Sequence, residues 1–100
     1  MRISSNSSGD STMLHIHSIR LDAAVAHELR SSLGEAVAAT PGPTIIDLSD
    51  VLFMDSSGLG ALIGALKVAA AGKVTITGVT PAVRTVFRLT RVDRALTILE

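Results

Sequence analysis

A chain of 100 residues with no cysteine and a formal net charge of zero is long enough for one domain, 1–100, and too short for two. It offers no disulfide, no thiol nucleophile, no cysteine-based metal site and no global attraction to nucleic acid or an acidic membrane. Hydrophobic residues make up 47%, but only Phe53 and Phe87 are aromatic, so the core must be aliphatic.

The first twelve residues are rich in serine, with Asn6, Gly9 and Asp10, and read as a polar tail. They lack the apolar stretch of a secretory leader. Residues 13–18 read as a strand: Leu14 and Ile16 alternate with His15 and His17, so one face is apolar and the other carries imidazoles. The alternation slips at Ser18-Ile19, which fits a kink. A His-x-His pair can ligate a metal. Two donors are too few, and no Asp, Glu or Cys pattern nearby completes a set, so no metal is expected.

Asp22 reads as the N-cap of a helix over 23–39, with its apolar stripe at Ala26, Leu29, Leu33, Ala36 and Val37. Thr40-Pro-Gly-Pro43 stops it. Residues 44–48 are nearly all apolar, as in a central strand buried on both faces. A polar turn and a second apolar patch, 51–54, follow. Asp55, Ser56 and Ser57 then stand at the start of a long helix striped by Leu59, Leu62, Ile63, Leu66, Ala69 and Ala70, with Gly72 placed to end it. Unsatisfied N–H groups and the helix dipole make that mouth suited to a capping side chain, an anion or a phosphoserine. The apolar run containing this helix includes Lys67 and falls short of the roughly 20 residues that cross a bilayer. A soluble cytoplasmic protein is expected.

The opposite face of the same helix carries Gly60, Ala61, Gly64, Ala65, Val68 and Ala71, with Lys67 its only charge. Each interior glycine costs about 1 kcal/mol relative to alanine. Such a face implies a closely approaching neighbour, either the helix over 23–39 or a partner protein.

Residues 73–79 form a further strand. Thr80-Pro81 opens a short helix with Val83, Val86 and Phe87 inside. Arg84, Arg88, Arg91 and Arg94 make a basic face, either simply solvated or turned to an acidic or phosphate-bearing partner. Residues 95–99 read as a last strand. Strands alternating with helices indicate an α/β plan with parallel pairings. Functional groups in such sheets collect beyond the carboxyl ends of the strands, where Asp22, Asp47 and Ser56 fall.

Enzymatic readings fit poorly. A nucleophile elbow needs Gly-x-Ser-x-Gly, and the chain has Asp-Ser-Ser-Gly. Gly58-Leu-Gly60 follows its strand too late for a dinucleotide fingerprint and lacks the acidic residue. Asp22, Asp47 and Asp55 could bind Mg²⁺ but read better as caps. Neither catalysis nor a cofactor is expected.

The run Phe53-Met-Asp-Ser-Ser-Gly-Leu-Gly60 resembles the signature of STAS-domain anti-sigma factor antagonists. The resemblance implies a mixed sheet of four to five strands with interleaved helices packed mainly on one face. It turns the N-terminal tail into a hairpin, with an edge strand from Arg2-Ile3-Ser4 and a turn at Gly9-Asp10. It makes Ser56 the target of an anti-sigma factor serine kinase, with Asp22, Asp55 and Ser57 supporting the phosphosite. Gly58, Gly60, Ala61, Gly64 and Lys67 become the partner-binding residues. The unphosphorylated form would hold the kinase and free a sigma factor; phosphorylation would release it. No direct contact with nucleic acid or membrane is implied, and a homodimer is left open. Leu21 and Asp22 match the family's Gly-Glu-Leu-Asp junction, while Ile19 and Arg20 replace its first two residues. The family's usual C-terminal helix is missing after Glu100, which is expected to leave one flank less covered. Two other functions stay open: a non-phosphorylated STAS subunit of a stress-sensing scaffold or lipid-transport complex, and a small-ligand or nucleotide-binding module.

Overall fold

The computed structural model describes residues 1–70, 72–94 and 96–99, with the side chain of Asp93 left out. Its order is β1 (Arg2–Ser8), β2 (Ser11–His17), β3 (Arg20–Leu21), α1 (Ala26–Ala39), β4 (Thr44–Asp47), β5 (Phe53–Met54), α2 (Ser56–Leu66), β6 (Val74–Thr77), α3 (Pro81–Leu89), a 3₁₀ turn (Val92–Arg94) and β7 (Thr97–Ile98). Five strands form one sheet in the order β1-β2-β4-β6-β7, while β3 and β5 pair by themselves. Among the described residues only β1 and β2 run antiparallel, so the α/β sheet is mixed, as the resemblance implied.

The N-terminal segment is a hairpin. Gly9 turns it at φ +64, and β1 pairs along its length from Arg2↔His17 to Ser8↔Ser11. Its polar composition fits an edge. A strand there satisfies the backbone groups of β2, and its Ser4 and Ser7 hydroxyls reach His17 and Thr12 of that strand.

One face of the sheet is dry. Leu14, Ile16, Ile46 and Ile76 are buried with Leu29, Leu33 and Val37 of α1 and Leu59, Leu62 and Ala65 of α2. The other face is half-open and carries Met13, His15, His17, Ile45, Asp47, Thr75 and Thr77. This corrects the expectation that β4 is buried on both faces: Ile45 and Asp47 are only half-buried.

Helix boundaries shift for local reasons. α1 starts at Ala26 because a turn comes first: the Val25 N–H donates to the Asp22 carbonyl at 3.1 Å, and the Ala24 N–H donates to the Asp22 carboxylate at 3.1 Å. Asp22 therefore caps that turn and not the helix. At the other end, the Thr40 hydroxyl donates to the Ala36 carbonyl and the Lys73 ammonium donates to the Val37 carbonyl at 2.9 Å. A cation suits those carbonyls. α2 ends at Leu66, well before Gly72; Ala69 is half-buried, Ala70 is exposed, and Ala71 lies outside the described residues.

α3 begins at Pro81 and buries Val83 and Phe87, with Val86 half-buried. The Thr80 hydroxyl donates to the Val51 carbonyl and does not cap the helix. Arg88, Arg91 and Arg94 are exposed, while Arg84 is half-buried. β7 covers Thr97–Ile98 of the expected strand, whose first residue, Ala95, is outside the described residues, as is Glu100. Among the described residues no helix is long and apolar enough to cross a membrane.

Candidate functional site

The short β3–β5 ladder brings two distant stretches together. Arg20 pairs with Phe53 and Leu21 with Met54. The Ile19 carbonyl accepts from the N–H groups of Leu52 and Phe53, and the Leu21 carbonyl accepts from Asp55 N–H at 3.2 Å. The junction before Asp22 is thereby fixed against the residues that start α2.

Asp55 is the N-cap. Its backbone is extended, and its carboxylate accepts the Gly58 N–H at 2.9 Å. That bond satisfies one of the helix's orphan donors. Ser56 and Ser57, the first two residues of α2, are left exposed.

Gly58 permits this closeness. A Cβ there would sit 1.8 Å from the Leu21 carbonyl oxygen and 2.4 Å from its carbon. Only glycine lets β3 end against the first turn of α2, and so lets Asp22 follow directly at the helix mouth.

Asp22 is held in place by two donors. Arg20 Nε donates to its carboxylate at 3.1 Å, and Ala24 N–H does the same from the backbone. The Arg20 hydrogen bond chiefly holds the Asp22 carboxyl below its ordinary value, outweighing partial desolvation. The Arg20 guanidinium also lies 4.5 Å from the centroid of the Phe53 ring. The arginine that replaces the family's glutamate is thus built into the site, bridging Asp22 and Phe53.

Ser56 and Ser57 border a hollow of about 380 Å³ shared with Ala26, His27, Arg30, Gly60 and Ala61. His27 and Arg30 were not singled out from sequence as neighbours of the serines. They are one helical turn apart on α1, but only the α1–α2 crossing shows that this turn faces Ser56.

The small-residue face of α2 divides. Ala61 and Ala65 are buried, and a Cβ on Gly34 of α1 would stand 3.8 Å from the Ala65 backbone. A Cβ on Gly64 would meet the Arg30 guanidinium at 2.9 Å. This portion is packed against α1. Gly58 and Ala61, expected on the partner-binding surface, are buried, because β3 covers the first and helix packing covers the second. Gly60 faces open space, and Lys67 and Val68 are exposed.

Asp22, Asp47 and Asp55 form no donor group for a cation among the described residues. Asp47 instead accepts the Ser49 N–H at 2.9 Å and stands 3.9 Å from His15. The histidine pair, expected to lack a third donor, has one: Asp50 from the turn after β4 reaches both rings. Sequence spacing could not reveal it, since parallel pairing of β2 with β4 creates the contact.

No curated protein matches the sequence significantly. Several solved structures share the fold. An anti-sigma factor antagonist from Mycobacterium paratuberculosis superposes with a TM-score of 0.82 at 23% identity, over 97% of this chain and 83% of that one. The Bacillus cell fate determinant SpoIIAA in its phosphorylated form gives 0.64 at 19% identity, over 99% and 92%. A sulfate transporter family protein from Wolinella succinogenes gives 0.69 at 19% identity, over 87% and 71%. At these identities the likeness is one of fold. The STAS domain model matches residues 3–100, and the chain belongs to the STAS domain family.

Proposed function

We propose that this protein is an anti-sigma factor antagonist switched by phosphorylation of Ser56. The observation that carries the reading is an exposed serine at the first position of α2, beside a separate residue, Asp55, that already caps the helix. Ser56 is therefore free to react. A phosphate would add about −1.5 to −2 charges at a helix N-terminus, where backbone N–H groups and the dipole favour it. Arg30 and His27 of α1 line the same hollow as Ser56. Modification would change the sign of the surface without breaking the fold.

In this reading an anti-sigma factor serine kinase docks over the helix mouth when Ser56 is unmodified. Gly60 and Lys67 offer exposed small and cationic contacts, and Ile19, Leu52 and Phe53 add an apolar rim. Asp22 and Ser57 support the phosphosite. The role is regulatory, acting on transcription through a sigma factor. Membership of the STAS family and a neighbour solved in a phosphorylated form support it.

The test is incubation of the purified protein with its cognate kinase and ATP, followed by fragmentation mass spectrometry. One phosphate on Ser56 is expected. A phosphate on Ser57, or none on either serine, overturns the assignment. The sulfate transporter relative favours a second reading, a STAS subunit of a larger assembly. Co-purification with a transporter, in place of a kinase, would select it.

A further inference from the structure

On the half-open sheet face, His15 and His17 project side by side from β2. Their rings are 4.1 Å apart and inclined by 23°. Asp50 faces both: its Oδ2 lies 3.2 Å from His15 Nε2 and 3.6 Å from His17 Nδ1. All three donor atoms fall within 4.8 Å of one another.

The bonding around His15 is incomplete. Its Nε2 atom is shielded from solvent and has no hydrogen-bond partner, although the Asp50 carboxylate is near. Nitrogen and oxygen stand at contact distance without the alignment of a hydrogen bond. Buried ring nitrogens are nearly always satisfied, so an orphan at this place calls for an explanation. An orphan imidazole nitrogen, a second imidazole and a carboxylate gathered within 4.8 Å supply the donor types of a cation site.

We propose that His15 Nε2, His17 Nδ1 and Asp50 Oδ2 bind a divalent transition-metal ion of the zinc class. Zinc bonds of about 2.0–2.1 Å give tetrahedral edges of about 3.3 Å. The 3.2 Å distance to Asp50 matches that edge and the 3.6 Å distance lies near it; the stacked rings must turn out of parallel for both lone pairs to reach one ion. Two imidazoles and one carboxylate suit Zn²⁺, Co²⁺ or Ni²⁺, and not the all-oxygen shells of Mg²⁺ or Ca²⁺.

Each ring has a polar neighbour at its other nitrogen. His17 Nε2 is 2.7 Å from the Ser4 hydroxyl on β1; a proton there leaves Nδ1 with its lone pair toward Asp50. His15 Nδ1 faces Asp47 Oδ2 at 3.9 Å, and Asp47 is anchored by the Ser49 N–H. Metal binding needs the proton on Nδ1 and the lone pair on Nε2. A hollow of about 450 Å³ beside His17, Ile19, Asp50 and Leu52 leaves room for a water as fourth ligand. The ion would fasten the turn after β4 to β2.

The test uses untagged, chelator-treated full chain titrated with ZnCl₂ by calorimetry and with CoCl₂ by absorption. One equivalent of zinc and an intense four-coordinate cobalt spectrum are expected. Asp50→Asn, on an exposed turn, should weaken zinc by more than about 100-fold, with His15→Gln as the second variant. Ser4→Ala should weaken it by about tenfold, the usual cost of losing a partner that orients a ligand. His27→Gln should change nothing. Circular dichroism confirms that each variant is folded. Less than half an equivalent bound, a weak six-coordinate cobalt spectrum, or zinc binding that survives both Asp50→Asn and His15→Gln overturns the site and leaves the cluster as ion pairs alone.

Discussion

The mouth of α2 and the imidazole face of β2 are both built where parallel strands end, yet they are assembled differently. At the mouth, the cap, the exposed serine and the required glycine are Asp55, Ser56 and Gly58, nearly adjacent in the chain. On the sheet face, His15, His17 and Asp50 come from elements separated by the whole of α1. A site written contiguously is fixed by local rules of capping and helix geometry. A site written in pieces exists only once strand register is set. The same contrast runs through the glycines of α2, since Gly58 and Gly60 are two residues apart and serve opposite ends.

The largest effect expected at the helix mouth is on partner binding. Ser56→Asp should weaken binding to the cognate anti-sigma kinase by about 3–5 kcal/mol, the cost of an unpaired charge trapped in an interface, which is roughly 150- to 5,000-fold. A single aspartate charge should give the lower end, and Ser56→Ala should bind without release. Calorimetric titration measures both. Equal affinities for the two variants would remove the phosphoswitch from the mouth.

Gly58→Ala comes next. Its methyl would collide with the Leu21 carbonyl, and relief means parting β3 from α2. A loss of about 3 kcal/mol is expected, the upper range for overpacking. The midpoint of urea unfolding reports it. Gly64→Leu should lose about 1–3 kcal/mol as it displaces Arg30. If stability held and only kinase binding dropped, Gly64 would belong to a docking surface after all.

Smaller changes sharpen the comparison. Asp55→Ala should cost about 1 kcal/mol through the lost cap. Gly60→Ala should gain up to about 1 kcal/mol, because nothing lies within 4 Å of the new methyl. A destabilised Gly60→Ala would mean that the contrast with Gly58 is misjudged.

The smallest effect concerns pH. Arg20 lowers the Asp22 pKa from its ordinary value of 3.8, so the folded state holds the proton less tightly than the unfolded one. The stability this contributes is complete above that value and is lost as pH falls through the folded pKa. Between pH 7 and 5, Asp22 should therefore contribute no pH dependence. Arg20→Gln should raise its titration midpoint, as followed by carboxyl carbon NMR. An unchanged midpoint would show that the Ala24 N–H, and not Arg20, holds the charge.

By itself the sequence determined what local chemistry can specify. Alternation at 13–17 produced β2, and Pro81 opened α3. The 3.6-residue period after Asp55 produced α2, and its cap left Ser56 outside. Tertiary structure decided what depends on neighbours. Ser-rich β1 became a strand because the edge of β2 needed partners. One face of β4 stayed half-open, because α1 and α2 share the opposite side of the sheet. Ala61 and Ala65 went inside because Gly34 lets α1 approach. Asp50 reached two histidines because β4 lies beside β2. The physical reason is range: capping and periodicity act within a turn or two of chain, whereas burial and side-chain convergence are set by register and packing between residues tens of positions apart.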